Sequence, residues 1–502
     1  MIKQEIINAI ESSSVYDVAK KTDLNFLEDM SSQLDNKIFL KREDQQPVYS
    51  FKLRGAYQKI SQLSLQDLQK GIIAASAGNH AQGVAFSAMK KGVQATIVMP
   101  ATTPDIKVDA VKRYGARVVL HGDSYDEAFE KAKEMETNSE AMFIHPYDDA
   151  DVIAGQGTIA KELLDQLENV DYVFIPVGGG GLLAGMAVYF HHINPNIKII
   201  AVEPENSACL HHALHAQERV TLDHVGIFAD GVAVKQVGAL PYELVNDIIH
   251  DTVLLSTDEI CAGVKDIYDS VRAIAEPAGA LSLAGIKKYL QAHDIKGKTV
   301  AGILCGANIN FHRLRHISER AELGEQKEAL FSVAIDEKKG SFLTFCQVLK
   351  GRSITEFNYR YQHDSVAQIF VGIQLKDKET SADFLTVLNE QGYQAVDLTY
   401  NEVAKLHLRY MIGGKPQDLD SERLYRFQFP ERPNALLNFL STLGTDYNIS
   451  LFHYRNHGAA YGRVLVGIQV RQDQLQAFTA LIDSIGYTFF DETNNEGYPL
   501  FL

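Results

Sequence analysis

Four short segments of this chain hold residue types that could do chemistry. The first is EDQQPVYSFKLRGA at 43–56, where Pro47 fixes the approach to Lys52 and a helical run follows it. A lysine in a partly desolvated pocket has a lowered pKa and can form a Schiff base with a carbonyl. The same spacing also fits a solvated surface charge. The second is SAGNHAQG at 76–83, directly after the strand-like GIIAA. Its turn offers backbone N–H groups at a helix start, with the Asn79 amide and the His80 ring beside them, a setting that can hold a carboxylate or phosphate. An ordinary turn with Asn79 as helix cap is the plainer alternative. The third is GGGG at 178–181, between YVFIPV and LLAGMAVYF. Without Cβ atoms, a row of N–H groups can close around an anion where the helix dipole favours negative charge. Gly179, Gly181 and Ala184 also fit G-x-G-x-x-A, and Glu203 ends the next strand, so a dinucleotide is the competing ligand. The fourth is LCGAN at 304–308, which puts Cys305 at a strand's carboxyl end, where open α/β sheets place ligands. A buried structural thiol is the bland alternative. His211 and His215 have the i, i+4 spacing of metal ligands, but no third ligand is near, so an exposed amphipathic helix and no metal is the reading.

The elements around these segments alternate. Strand-like runs stand at 38–42, 71–75, 95–99, 117–120, 141–144, 172–177, 198–203 and 300–304, with helical periodicity between them, as at 124–137 and 257–272. Such β/α alternation predicts parallel sheets wrapped by helices. Residues 172–190 carry no charge, but Pro176 and the glycines split them into strand, loop and helix rather than a membrane span. Residues 312–330 are charged and helical and read as a linker. Beyond it the chain repeats: FNYR at 357–360 and FHYR at 452–455, VGIQ at 371–374 and 466–469, and GY followed by Asp397 or Asp491. Each copy reads strand, helix, strand, strand, helix, strand, the split βαβ pattern of a small ferredoxin-like unit. The expected domains are 1–320, 326–396 and 419–490. Phe357, Tyr359, Phe452 and Tyr454 could line a small-ligand pocket between the copies.

Composition bounds the function. The chain has 502 residues, 46% hydrophobic and 22% charged, and a net charge of −16. That is globular composition, and its acidity disfavours nucleic acid and anionic membranes as partners. The cysteines at 209, 261, 305 and 346 form no C-x-x-C pair, and the first twenty residues contain no apolar signal core. Both features point to a reducing, cytoplasmic setting.

Taken in order, KREDQQPVYSFKLRGA, SAGNHAQGVA, VGGGGLLAG and GANINFHRLR resemble the motifs of fold-type II pyridoxal-phosphate (PLP) enzymes, the tryptophan-synthase-β-like class. Within that class the chain closely resembles the biosynthetic threonine deaminases (threonine ammonia-lyases) over nearly its whole length. Its doubled C-terminal module is similar to the two ACT-like regulatory units of their long, feedback-controlled form. The resemblance implies a two-lobed α/β catalytic domain followed by two ferredoxin-like α+β units. It implies that Lys52 holds PLP and removes the α-proton of L-threonine, and that Asn79 hydrogen-bonds the cofactor's 3′-oxygen. Gly178, Gly179, Gly180, Gly181 and Leu182 would cradle the phosphate. Ser76, Ala77, Gly78, Asn79 and His80 would take the substrate carboxylate, and Cys305 would face the pyridine nitrogen. The products would be 2-oxobutanoate and ammonia, on the way to isoleucine, with isoleucine as inhibitor, valine as activator and a homotetrameric assembly. Two positions depart from the family: Tyr49 stands where many relatives have His, and Cys305 where many have Ser, a stronger donor than a thiol. The rivals are a serine dehydratase, serine racemase or cysteine synthase on the same scaffold, and a NAD-dependent amino-acid dehydrogenase. Relatives that racemise carry Ser where this chain has Ala77, which favours elimination. An amino-acid sensor built on a dead enzyme would need one of the four segments broken, and none is.

Overall fold

The computed structural model describes residues 2–336 without a break, and beyond them residues 344–345, 348–349, 352, 354–359, 366–410, 421–430, 439, 442–443, 446–455 and 461–501. The chain divides into two compact units, Met1–Ala321 and Glu322–Leu502.

The first unit has ten strands: β1 (Leu24–Phe26), β2 (Lys37–Arg42), β3 (Ile72–Ala75), β4 (Ala95–Met99), β5 (Arg117–Leu120), β6 (Met142–Phe143), β7 (Tyr172–Pro176), β8 (Lys198–Pro204), β9 (Asp251–Leu255) and β10 (Thr299–Leu304). They form two sheets. The smaller has the order β5-β4-β3-β6 and is parallel throughout. The larger has the order β1-β2-β10-β7-β8-β9, parallel except for β1 against β2. Parallel neighbours need a crossover, which the helix Gly181–Ile193 supplies between β7 and β8. The alternation of side chains across a strand then builds two cores at once. Val173 and Ile175 of β7 join Ile199 and Ala201 of β8 on one face, while Tyr172 and Phe174 join Ile200 and Val202 on the other. Every residue of β7 and β3 is buried, as central strands covered on both faces should be.

The expected strands are present with ends shifted by a residue or so, and β1 and β9, short strands at the edges of the large sheet, are additions. The charged stretch expected as a linker is different in kind. Residues Arg313–Gly324 form a helix whose Ile317 and Ala321 are buried in the large sheet's core, and whose Arg320 pairs with Asp258. An apolar stripe inside a charged sequence is enough to dock a helix.

The second unit holds the repeat. Strands β11 (Glu328–Asp336), β12 (Ile354–Tyr359), β13 (Val366–Gln374) and β14 (Gln394–Asp397) form an antiparallel sheet of order β12-β13-β11-β14. Strands β15 (Glu422–Pro430), β16 (Asn448–Arg455), β17 (Tyr461–Gln469) and β18 (Phe489–Asp491) repeat the order as β16-β17-β15-β18. The helices Ser381–Glu390 and Leu475–Ser484 occupy matching places. Most of the first helix expected in each copy, and the side chains of Phe357, Tyr359, Phe452 and Tyr454, lie outside the described residues. The repeat extends to single hydrogen bonds. The Leu330 N–H donates to Thr399 Oγ1 at 3.1 Å, and the Leu424 N–H, 94 residues on, donates to Thr493 Oγ1 at 3.2 Å. Leu330, Phe370 and Leu398 of the first copy share a core with Leu424 and Leu465 of the second. Among the described residues no helix is long and apolar enough to cross a membrane.

Candidate active site

Lys52 opens the helix Lys52–Gln62, and the residues before it are tied to the end of β10. Ser50 bridges Gly306, the Phe51 N–H donates to the Cys305 carbonyl at 3.2 Å, and the Ala307 N–H donates to the Tyr49 carbonyl at 2.9 Å. Tyr49 turns through φ +56°, a left-handed conformation seldom adopted by a bulky residue. Behind Lys52, the fully buried Arg54 donates to Glu43 at 2.8 Å and to Glu162 at 2.6 Å, which holds the helix's first turn in place. Lys52 itself is half-buried, and its Nζ donates to the Pro146 carbonyl at 3.2 Å. Burial lowers its amine from the usual range to about 8, with Cys305 and Glu276 opposing the shift. The result is an amine that is taken out of water yet left open to a reactant.

The second segment follows β3. Ser76 Oγ accepts the Gly78 N–H at 3.2 Å, and Asn79 starts the helix Asn79–Lys91. A Cβ built on Gly78 would meet nothing within 4 Å, so this turn, including Ala77, borders open space. His80 is buried, with Nε2 2.9 Å from the Ile144 carbonyl and Nδ1 without a partner among the described residues. The carbonyl can only accept, so Nε2 carries the proton. Burial, with Lys52 adding to it, lowers the ring to about 3 and keeps it neutral. In this tautomer Nδ1 cannot donate to a carboxylate, which leaves the backbone N–H groups at the helix start for that task.

The glycine segment leaves the end of β7 and runs into the helix Gly181–Ile193. Gly180 stands at φ +89°. A Cβ on Gly179 would lie 2.2 Å from the Tyr147 ring, so only glycine fits there. Leu182 is buried, and its share in an anion site is its backbone N–H at the helix start. The loop carrying Tyr147 also carries Pro146, the acceptor for Lys52, so the amine and the glycine segment flank one loop. His145 Nδ1 stiffens it by accepting the Tyr147 and Asp148 N–H groups at 3.3 and 2.8 Å.

Cys305 is buried at the end of β10. Burial, then the charges of Glu276 and Glu43, push its thiol well above the ordinary range, with Lys52 opposing, so it stays protonated and able to donate. Beside it lies Glu276, which no sequence motif singles out. Asn79 Nδ2 donates to Glu276 Oε1 at 2.6 Å, and Asn308 Nδ2 donates to Asn79 Oδ1 at 2.7 Å and to the Val48 carbonyl at 2.8 Å. Glu276 precedes Pro277 at the start of the helix Pro277–Ala292, where sequence alone reads a helix entry. Asn308 stands within the LCGAN segment and Tyr147 in HPYDD after β6, both in loops at strand carboxyl ends.

The competing readings fare differently. Glu203 is buried and accepts the Leu210 and His211 N–H groups at 2.9 and 2.8 Å. It caps the helix Cys209–Ala216 and is not presented to a ribose, which removes the acidic residue from the dinucleotide pattern. His215 Nδ1 lies 2.8 Å from the His211 carbonyl, and no metal-binding group is found among the described residues.

A family model described as pyridoxal-phosphate dependent enzyme matches residues 15–306. The chain belongs to that family. A model of the C-terminal regulatory domain of threonine dehydratase matches twice, at residues 319–408 and 413–502. The chain is 53% identical to the biosynthetic L-threonine dehydratases of Pasteurella multocida and of Escherichia coli, each over 99% of this chain and 97% of the relative. Among solved structures it is similar to the processed form of threonine deaminase isoform 2 from Solanum lycopersicum, with 46% identity and a TM-score of 0.63 over 64% of this chain and 93% of that one. Serine racemase from Dictyostelium discoideum is similar at 30% identity and a TM-score of 0.57, over 61% of this chain and 98% of that one. As a member of this family the protein is a PLP-dependent enzyme, and the residues in place fit the cofactor. A desolvated amine and a glycine segment at a helix N-terminus flank one loop, and two buried polar atoms, Ser50 Oγ and His80 Nδ1, have no hydrogen-bond partner among the described residues.

Proposed function

We propose that this chain is a biosynthetic threonine ammonia-lyase that converts L-threonine to 2-oxobutanoate and ammonia. The observation that carries the reading is the half-buried Lys52 amine at about 8, bonded to the Pro146 carbonyl next to the Tyr147 that packs on Gly179, in a chain whose relatives are threonine dehydratases. Bound PLP supplies an electron sink for the α-carbon of an amino acid. Lys52 would hold the cofactor and would take the α-proton of the substrate; an amine with a pKa near 8 suits both tasks. The N–H groups from Gly178 to Leu182 take the phosphate, where the helix dipole favours a dianion. The turn Ser76–His80 takes the substrate carboxylate through backbone N–H groups. Asn79 donates to the cofactor's 3′-oxygen. Cys305, a neutral thiol, would face the ring nitrogen and leave it unprotonated, a setting that favours loss of the β-hydroxyl.

The two C-terminal copies bind isoleucine as inhibitor and valine as opposing activator, and the assembly is a homotetramer in the cytoplasm. Support for the effectors comes from the double match to a regulatory domain, and for the cytoplasm from the free, buried Cys209 and Cys305. The test is release of ammonia and 2-oxoacid from threonine and from serine, with and without isoleucine, together with the assembly's mass in solution. Absence of 2-oxobutanoate from threonine would overturn the reading.

A further inference from the structure

Asn79 is held on two sides. Its Nδ2 gives one proton to Glu276 at 2.6 Å, and its Oδ1 receives one from Asn308 at 2.7 Å. An amide nitrogen has two protons, and among the described residues only one is used. Glu276 is buried and held in turn, because its N–H donates to the Gly306 carbonyl at 3.2 Å, next to Cys305. Asn308 is fixed by its bond to the Val48 carbonyl. A carboxylate only accepts, so an ionised Glu276 forces the Asn79 nitrogen toward itself. We infer that Glu276 is a positioning residue of the cofactor site: together with Asn308 it locks the Asn79 amide so that its remaining N–H, and not its oxygen, is presented to the ring oxygen of bound PLP. The inference rests on the proposed function.

The lock depends on charge. A protonated Glu276 can donate as well as accept, and the direction of the amide then rests on Asn308 alone. Burial raises this carboxyl to about 7, with the Asp230 charge adding and the Asn79 bond, Lys107 and Arg313 opposing. Lys52 and Cys305 also face it. Asp230 comes from the loop 229–232, where Lys107 reaches it at 2.6 Å and Arg313 at 3.2 Å. The donor that the cofactor's ring oxygen meets is therefore set by a group titrating near neutrality, and it weakens as the pH falls.

The experiment is a pH titration of the visible absorption band of the PLP-loaded full-length enzyme, alongside kcat and KM for threonine. The wild-type band should change in one step near neutrality. Glu276→Gln, which keeps shape and removes the charge, should abolish that step and lower kcat about tenfold or more with KM little changed. Glu276→Asp should restore the step in part. Lys107→Met removes a cation that favours the ionised carboxyl, so its midpoint should move up, with kcat at high pH unaltered. A wild-type spectrum and kcat in Glu276→Gln overturn the inference. If that variant loses its fold or its cofactor, an unmoved midpoint in Lys107→Met overturns it. A wild-type protein with no visible band or no 2-oxobutanoate would instead sink the proposed function.

Discussion

The Lys52 amine at about 8 sets a testable pH window. Only the unprotonated amine condenses with a carbonyl, so the rate at which cofactor-free protein captures PLP should rise through about pH 8 and level off, well below the range of an exposed lysine. A rate still climbing at about pH 10, where an exposed lysine titrates, would contradict the desolvated site. Lys52→Ala should bind PLP without a borohydride-reducible bond, and peptide mapping of the reduced wild type should label Lys52. The glycine loop yields a sharper comparison. Gly179→Ala puts a Cβ 2.2 Å from the Tyr147 ring and should abolish cofactor retention, whereas Gly78→Ala meets nothing within 4 Å and should keep the cofactor while raising KM, measured as absorbance and steady-state rate. Cys305→Ser should stay active, because a hydroxyl donates at least as well as a thiol, while Cys305→Asp should alter the balance of products by protonating the ring nitrogen. Much of this site was legible because its residues come in runs: the Lys52, Asn79, glycine and Cys305 segments each stand beside a strand in a run of unusual composition. Glu276 was not, since a lone Glu before Pro signals only a helix start. Its partner Asn79 lies 197 residues away.

Helices and strands position these residues through buried charge as well as apolar contact. Lys41, Arg54, Glu43 and Glu162 form a buried cluster linking β2, the Lys52 helix and the helix Ala150–Gln166, with Lys41 at 2.6 Å from Glu162. Removing one member strands the others, so Arg54→Met should cost about 3–5 kcal/mol in urea-unfolding stability. Burial works to raise the Glu162 carboxyl, but Arg54 and Lys41 outweigh it and hold it below the usual carboxylate range. Its contribution is therefore complete above the ordinary carboxylate pKa and is lost as the pH falls through the depressed folded value. In Glu162→Gln that part of the acid dependence should disappear. The sequence disclosed which runs were strands, because central parallel strands are continuously apolar. It did not disclose that β3 to β6 separate into their own sheet, since strand order is fixed by packing between distant segments. The short edge strands β1 and β9 carry too few residues to show a period.

At the scale of the whole chain, two units with separate cores imply separable behaviour. A chain ending at Ala321 should keep threonine turnover and lose any response to isoleucine, because an effector regulates only by binding two states unequally. Threonine saturation curves of the full and shortened proteins, with isoleucine present, make the comparison; equal inhibition of both would move the effector to the first unit. The repeat was legible through its offset, and its matched Thr399 and Thr493 bonds show why the offset persists: each copy closes its sheet with the same hydroxyl. The contact between Tyr147 and Gly179 reaches beyond this one chain. With no room for even a methyl group between them, the glycine cannot change over evolutionary time while the ring stays. Lineages that replace the aromatic ring gain freedom at the glycine, and lineages that keep it do not, so the two positions should co-vary across distant relatives although they stand 32 residues apart in the chain.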